Sequence, residues 1–378
     1  MGTSGTAAVL RHPRERLLLE EVEIADPRED EVLVAIAASG VCASDVHLAD
    51  GTLEIPGLGG YPLPIVPGHE AAGVVEQVGS AVRTVQPGDH VIINIYPGCG
   101  RCRPCVLGRA AECSEVRPGA LPGGGSRLTS NGATVHQMSS CSSFAERTVV
   151  PQRGCVKIPP EMPLDRACLI GCGVATGFAA VFHVADVRPG DSVLVLGVGG
   201  VGLNVVQSAV LAGARTVVAV DLGATRLDKA KEFGATHVLD ASSATWTTAV
   251  REIVAGGVDH GFEVVSTPTT VRQVYDATRD GGMVTVVGLA PPGSTVALPT
   301  VPSKTFTRGG LRWARPASDF RALVDLYLAG RFKLDELVTD ERPMREVNEV
   351  MDSMRRGLPG RTILTNEEVL LNSRARGG

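Results

Sequence analysis

Four thiols stand at Cys99, Cys102, Cys105 and Cys113, all within 15 residues. The chain between them is irregular and rich in Gly, Pro and Arg, so their sulfurs can converge without help from a helix or strand. Soft thiolates suit zinc or an iron–sulfur cluster, and a four-thiolate zinc site is closed and structural. The spacing departs from one bacterial iron–sulfur run only in its last gap, which keeps a cluster open. Two disulfides are the blandest reading, and no signal-peptide pattern at the N-terminus favours them. A second set is dispersed: Cys42 in Gly40-Val41-Cys42-Ala43-Ser44-Asp45-Val46-His47, His69 in Pro67-Gly68-His69-Glu70, and Cys172 between two glycines. Two thiolates, one imidazole and an open fourth position describe a catalytic zinc. Taken singly, each of the three reads as a small hydrophobe or an ordinary polar residue. Spacing cannot bring them together.

A third signal is Gly197-Val198-Gly199-Gly200-Val201-Gly202, a G-x-G-x-x-G that directly follows an apolar strand, Ser192–Leu196, and opens a helix. The first Gly permits the tight turn, the second lets backbone approach a pyrophosphate at the helix N-terminus, and the third allows close helix–strand packing. Asp221 ends the next strand, 19 residues after Gly202. An acidic side chain there accepts from ribose hydroxyls and repels a 2′-phosphate, which favours NAD over NADP. Arg226 is near enough to flank the ribose or a phosphate. The blander alternative is a structural Gly turn with an ordinary strand-end Asp.

The elements that must position these residues change rhythm along the chain. Residues 6–100 read as short strands between turns, a β-rich unit of barrel type. Residues 114–146 lack periodicity and read as one long functional or surface loop. From about 190, short apolar strands alternate with helical patterns, which implies βαβ units and a parallel sheet. Amphipathic helices follow at 319–329 and 344–356, then a strand at 361–364, and 366–378 reads as a loose tail. The 378 residues suggest two domains or three, and the formal charge of −5 offers no basic patch for nucleic acid. The uncharged run 192–214 is long enough to span a membrane, but its glycines break it into strand, turn and helix. The expectation is a cytoplasmic chain with neither nucleic-acid nor membrane partner.

These motifs together, G-V-C-x-S-D with His47, G-H-E, the four-cysteine lobe, G-C-G and the Gly-rich turn with Asp221, resemble the zinc-dependent alcohol dehydrogenases of the medium-chain dehydrogenase/reductase superfamily. The likeness runs from about residue 6 to 365. It implies an α/β protein with a GroES-like, β-rich catalytic domain, 1–173 and 316–378, split around a Rossmann NAD-binding domain, 174–315, with a structural zinc lobe at 95–114. Two zinc ions are implied, one catalytic on Cys42, His69 and Cys172 and one structural on the four cysteines, with Glu70 close behind the catalytic metal. Asp45 matches a carboxylate that orients the ligand His, and Ser44 and His47 match a proton relay. Gly197, Gly199, Gly200, Val201, Gly202, Asp221, Arg226, Leu289 and Arg361 fall at cofactor positions, and Ile95, Leu289 and the 114–146 loop would help shape the pocket. The active site would lie in the cleft between domains, and family members are dimers or tetramers.

Two positions bear on specificity. Ala43 stands where many members put a basic residue against the pyrophosphate. Arg117 matches a carboxylate-binding position of glutathione-dependent formaldehyde dehydrogenases, although a surface Arg explains it as well. The expected function is reversible oxidation of an alcohol to an aldehyde or ketone by hydride transfer to NAD. A thiol-adduct formaldehyde dehydrogenase, of glutathione or mycothiol type, is the close alternative, and a non-catalytic nucleotide-binding relative is the alternative of another class.

Overall fold

The strand Glu31–Gly40 organises the first half of the molecule, because all ten of its residues are buried. Such a strand is covered on both faces and reads as a continuous apolar run rather than an alternating one. The computed structural model that shows this describes residues 2–54, 59–291, 293–299, 303–356 and 360–377. Two compact units divide the chain, Met1–Cys172 with Arg315–Gly378, and Gly173–Ala314.

In the first unit Glu31–Gly40 pairs antiparallel with Glu70–Val78, Arg147–Pro151 and Arg361–Thr365. Its partner Arg361–Thr365 comes from the far end of the chain, so this unit is assembled from both termini. A second sheet orders Thr3–Val9, Leu18–Ile24, Leu128–Ser130, Ala133–Gln137 and Ile65–Val66. Its core holds Leu10, Ile24, Ile65, Leu128, Met138 and Phe144, all at most 2 % exposed.

Two expectations are corrected here. Residues 114–146 are not one structureless loop, since Leu128–Ser130 and Ala133–Gln137 form a hairpin that enters the sheet. The turn is Asn131-Gly132, both left-handed at φ 52° and 75°, the pairing that matches the twist of flanking strands. The strands are too short, at three and five residues, for a period to show. The C-terminal stretch is not a loose tail either, because Glu367–Gly377 is a helix. Glu367 and Glu368 complement its N-terminal dipole, and Leu370 and Ser373 are buried.

The second unit is a six-stranded sheet, parallel throughout. Its order is His237–Asp240, Thr216–Asp221, Ser192–Leu196, Val258–Glu263, Thr278–Val286, Thr305–Arg308. Strand order reverses at Ser192–Leu196, the doubly wound arrangement that leaves a crevice beyond the strands' carboxyl ends. The uncharged run from Ser192 resolves into that strand, the Gly turn and the helix Gly200–Leu211. No single helix among the described residues is long and apolar enough to cross a membrane.

Candidate active site

The sheet register explains how the dispersed candidate ligands meet. Gly40 pairs with Glu70, so Cys42, just past one strand, and His69, just before the other, leave adjacent strand ends. Cys172 follows the 3₁₀ turn Cys168–Gly171, and a Cβ on Gly171 would stand only 3.2 Å from the Ile93 carbonyl. The donor atoms of Cys42, His69, Glu70 and Cys172 all lie within 4.8 Å of one another.

Asp45 organises this cluster from the first turn of the helix Ala43–Ala49. Its Oδ2 accepts the Cys42 amide at 2.9 Å, and its Oδ1 accepts the Gly68 amide at 3.1 Å and faces His69 Nδ1 at 3.0 Å. With Nδ1–H donated to a carboxylate, Nε2 is left as the ligand atom. A hydrogen bond from Cys172 holds the Cys42 thiol well below its ordinary range. Two thiols and one oriented imidazole, all drawn together, fit a zinc ion with a position to spare.

Glu70 and Arg361 occupy the back of the site. Glu70 is fully buried and ion-paired with Arg361, which is itself 8 % exposed. Burial pushes the Glu70 carboxyl up to about 7, against the pull of that guanidinium. The resemblance puts Arg361 at a cofactor position, and nothing in the sequence ties it to Glu70. The two are 291 residues apart, and no local pattern links them. Ser44 is half-buried with Oγ 3.9 Å from Cys42 Sγ. His47 lies one turn further along the helix, its Nδ1 3.3 Å from Thr52 Oγ1, a partner not anticipated.

The four-cysteine lobe is drawn together independently. The sulfurs of Cys99, Cys102, Cys105 and Cys113 lie within 4.8 Å of one another, and all four are free thiols. Bonds of about 2.3 Å to one tetrahedral ion place thiolates about 3.8 Å apart. Cys102 and Cys113 stand at 3.9 Å, which fits a single ion rather than a multi-iron cluster. Amide hydrogens of Cys102, Cys99 and Glu115 point at the sulfurs of Cys99 and Cys113 at 3.3–3.4 Å. Amides of Cys105 and Ser114 hold the Cys102 thiol at about 6. Gly98 is required, since φ is +59° and a Cβ would meet Cys105 Sγ at 2.7 Å. Arg117, beyond the lobe, donates to the carbonyls of Ser114 and Val116 at 3.0 and 2.8 Å and braces its own turn.

At the carboxyl edge of the parallel sheet, Gly197 is left-handed at φ +90°. A Cβ on Gly202 would lie 1.9 Å from the Gly197 carbonyl, so only Gly allows this turn to close. Gly199 caps the helix Gly200–Leu211, with Val201 in its first turn, and a Cβ on Gly199 would meet nothing within 4 Å. Open space over a helix N-terminus fits a phosphate. Asp221 accepts the amides of Val198 and Leu222, each at 2.8 Å, and pairs with Arg226 at 3.1 Å. Leu222 and Val265, 71 % and 48 % exposed, follow the two strands that flank the turn, and Leu289 is 47 % exposed. Leu222 and Val265 were missed in the sequence. A bare apolar residue within two positions of the end of a parallel strand is the signal that finds them, because ligands bind beyond those strand ends.

Comparison with known proteins fits this geometry. Residues 28–160 match the alcohol dehydrogenase GroES-like domain and residues 200–329 the zinc-binding dehydrogenase family. An NDMA-dependent alcohol dehydrogenase of Amycolatopsis methanolica is 40% identical over 362 residues, covering 93% of this chain and 96% of the relative. The chain belongs to the zinc-dependent alcohol dehydrogenase family of the medium-chain dehydrogenases/reductases. A probable S-(hydroxymethyl)glutathione dehydrogenase 1 of Schizosaccharomyces pombe is 37% identical, covering 93% of this chain and 94% of that protein. Among solved structures, benzyl alcohol dehydrogenase from Acinetobacter calcoaceticus superposes with a TM-score of 0.89 at 31% identity, covering 96% and 99% of the two chains.

For an alcohol dehydrogenase of this family the Asp45 contacts give a direct prediction. Asp45→Asn cannot accept the Cys42, Gly68 and His69 hydrogens together, because one of its two ends becomes a donor. Loss of such an orienting carboxylate costs about 10–100-fold in metal affinity or activity. Metal competition against a chelator, paired with turnover, checks it. Unchanged values for both would show that Asp45 does not orient the ligand.

Proposed function

We propose that this alcohol dehydrogenase transfers hydride reversibly between an alcohol and NAD. The observation that carries the reading is Asp221, held by the amides of Val198 and Leu222 beside the Gly197 turn. Its fixed negative charge suits ribose hydroxyls and repels a 2′-phosphate. Zinc supplies Lewis acidity that lowers the pKa of a bound alcohol, and NAD accepts hydride.

The protein's own residues do the rest. Cys42, His69 and Cys172 present donors, while Asp45 fixes the ring and tautomer of His69. Ser44 stands beside that set, suited to take the hydroxyl proton, and His47 to release it at the half-buried end of the helix. Ala43 leaves one pyrophosphate charge unsupplied, which loosens cofactor binding and favours fast product release.

Substrates are small alcohols and their aldehydes or ketones. A thiol-adduct formaldehyde dehydrogenase remains the second reading, supported by the S. pombe relative, whereas Arg117 is spent on its own turn. The test is formation of reduced nicotinamide across aliphatic, allylic and benzylic alcohols and a hydroxymethyl-thiol adduct. NADP and NDMA are run as alternative acceptors. In the same assay Asp221→Asn is expected to narrow the preference for NAD over NADP by about tenfold, the size of one charged hydrogen bond. A preference untouched by the substitution would remove Asp221 from the site. Turnover with NDMA alone and never with NAD would overturn the choice of acceptor.

A further inference from the structure

The segment that delivers His69 is gripped from one side by a turn of serines. The carbonyls of Val66, Pro67 and Gly68, the three residues before the ligand, each accept a hydrogen bond from this turn. Ser142 Oγ donates to Val66 at 2.7 Å, the Phe144 amide to Pro67 at 3.1 Å and the Ser143 amide to Gly68 at 3.1 Å. Gly68 is left-handed at φ +91°, and a Cβ there would stand 2.5 Å from Ser143 Oγ, so the two segments lie in direct contact.

The turn itself is built against backbone preference. Ser139, Ser140 and Ser142 are all left-handed, at φ 51°, 54° and 59°. Non-Gly residues rarely adopt this region, and a cluster of them persists only where the surroundings over-determine it. Ser142 Oγ accepts the Met138 amide at 2.8 Å while donating to Val66, so one hydroxyl closes the turn and holds the ligand segment together. Tyr61 bonds Ser139 at 2.7 Å and Thr148 bonds the Cys141 carbonyl at 2.5 Å. Ser143 Oγ meets Ser39 Oγ at 2.6 Å, which ties the turn to the strand that leads into Cys42. Ser39, Ser142 and Ser143 are completely buried.

We infer that the left-handed serine turn 139–143 is a positioning device for the catalytic metal site, with Ser142 its positioning residue. By fixing three successive peptide planes ahead of His69, and through Ser39 the approach to Cys42, it sets the spacing of two metal donors. Ser142 touches neither metal nor substrate and acts through the segment 66–68. The strained backbone makes the Ser142 hydroxyl the bond that keeps the turn closed.

The inference rests on Cys42, His69 and Cys172 holding zinc, and its test separates the two claims. The parent protein, Ser142→Gly and Ser142→Ala are compared for zinc release to a chelator. The d–d spectrum is also recorded after cobalt replaces the catalytic ion. Ser142→Gly removes the hydroxyl yet relaxes the left-handed backbone, so it keeps the test open should Ser142→Ala not fold. Ser140→Gly is the control, because it relieves strain without touching a bond to 66–68. Both Ser142 variants are expected to release one of two ions at least tenfold faster and to show a shifted cobalt spectrum. The four-cysteine ion and Ser140→Gly should behave as the parent does. Folded Ser142→Gly with parental release and spectrum would overturn the role of the serine turn. A parent holding no ion beyond the one in the four-cysteine lobe would instead overturn the metal reading beneath it.

Discussion

Cys172→Ser is expected to leave a folded protein with one zinc ion per chain and to lower alcohol turnover by about a thousandfold or more. Serine is hard, uncharged at neutral pH and a poor zinc ligand, so two donors remain where three are needed. Loss of Lewis-acid stabilisation removes several kcal/mol from the transition state, and about 4 kcal/mol is a thousandfold. Folding should survive, because Cys172 ends a turn while the surrounding core of Leu169, Ile170 and Ile93 is apolar and fully packed. Metal analysis, near-ultraviolet circular dichroism and turnover check the three parts. Turnover within tenfold of the parent would remove Cys172 from the metal site.

Cys113→Ser tests the other centre, with a different signature. No residue from Cys99 to Glu112 is buried, and the lobe contains only the short helix Arg103–Val106 and the 3₁₀ turn Ala110–Glu112. Val106 and Leu107 are 70 % and 56 % exposed, so no apolar core holds the lobe. On this reading its order depends on a metal, whose binding in small zinc modules contributes roughly 10–16 kcal/mol at neutral pH. Losing one of four thiolates should therefore open the lobe locally. Trypsin cleavage after Arg101 or Arg109 should rise by an order of magnitude or more, with one zinc ion lost. Equal resistance to trypsin in the variant would show that contacts other than the metal order the lobe.

The lobe was legible in the sequence because its ligands are close along the chain. Their convergence needs only short irregular connections, and spacing is enough to suggest one centre. Cys42, His69 and Cys172 are another matter. Their meeting depends on the Gly40–Glu70 register and on a turn packed beneath it, and only the likeness to a known family grouped them. The parallel sheet was legible from short apolar strands alternating with helices, the pattern of strands buried on both faces. The 128–137 hairpin and the C-terminal helix were not. Three- and five-residue strands carry no measurable period, and Leu370 alone is the buried apolar anchor of its helix among the described residues. The serine turn left no trace, since serine in a left-handed conformation has no sequence signature comparable to glycine's. Nor did the Glu70–Arg361 pair, which joins the second strand of the ligand register to the last strand of the chain.

Transfer of isotope tests the central claim most directly. A substrate alcohol carrying deuterium on its carbinol carbon is incubated with the zinc-loaded protein and NAD, and the reduced nicotinamide is examined by mass spectrometry and NMR. Direct hydride transfer requires one deuterium per reduced nicotinamide, at the ring carbon that accepts hydride, and none in the water. Deuterium recovered in solvent, or an unlabelled nicotinamide beside oxidised alcohol, would contradict it.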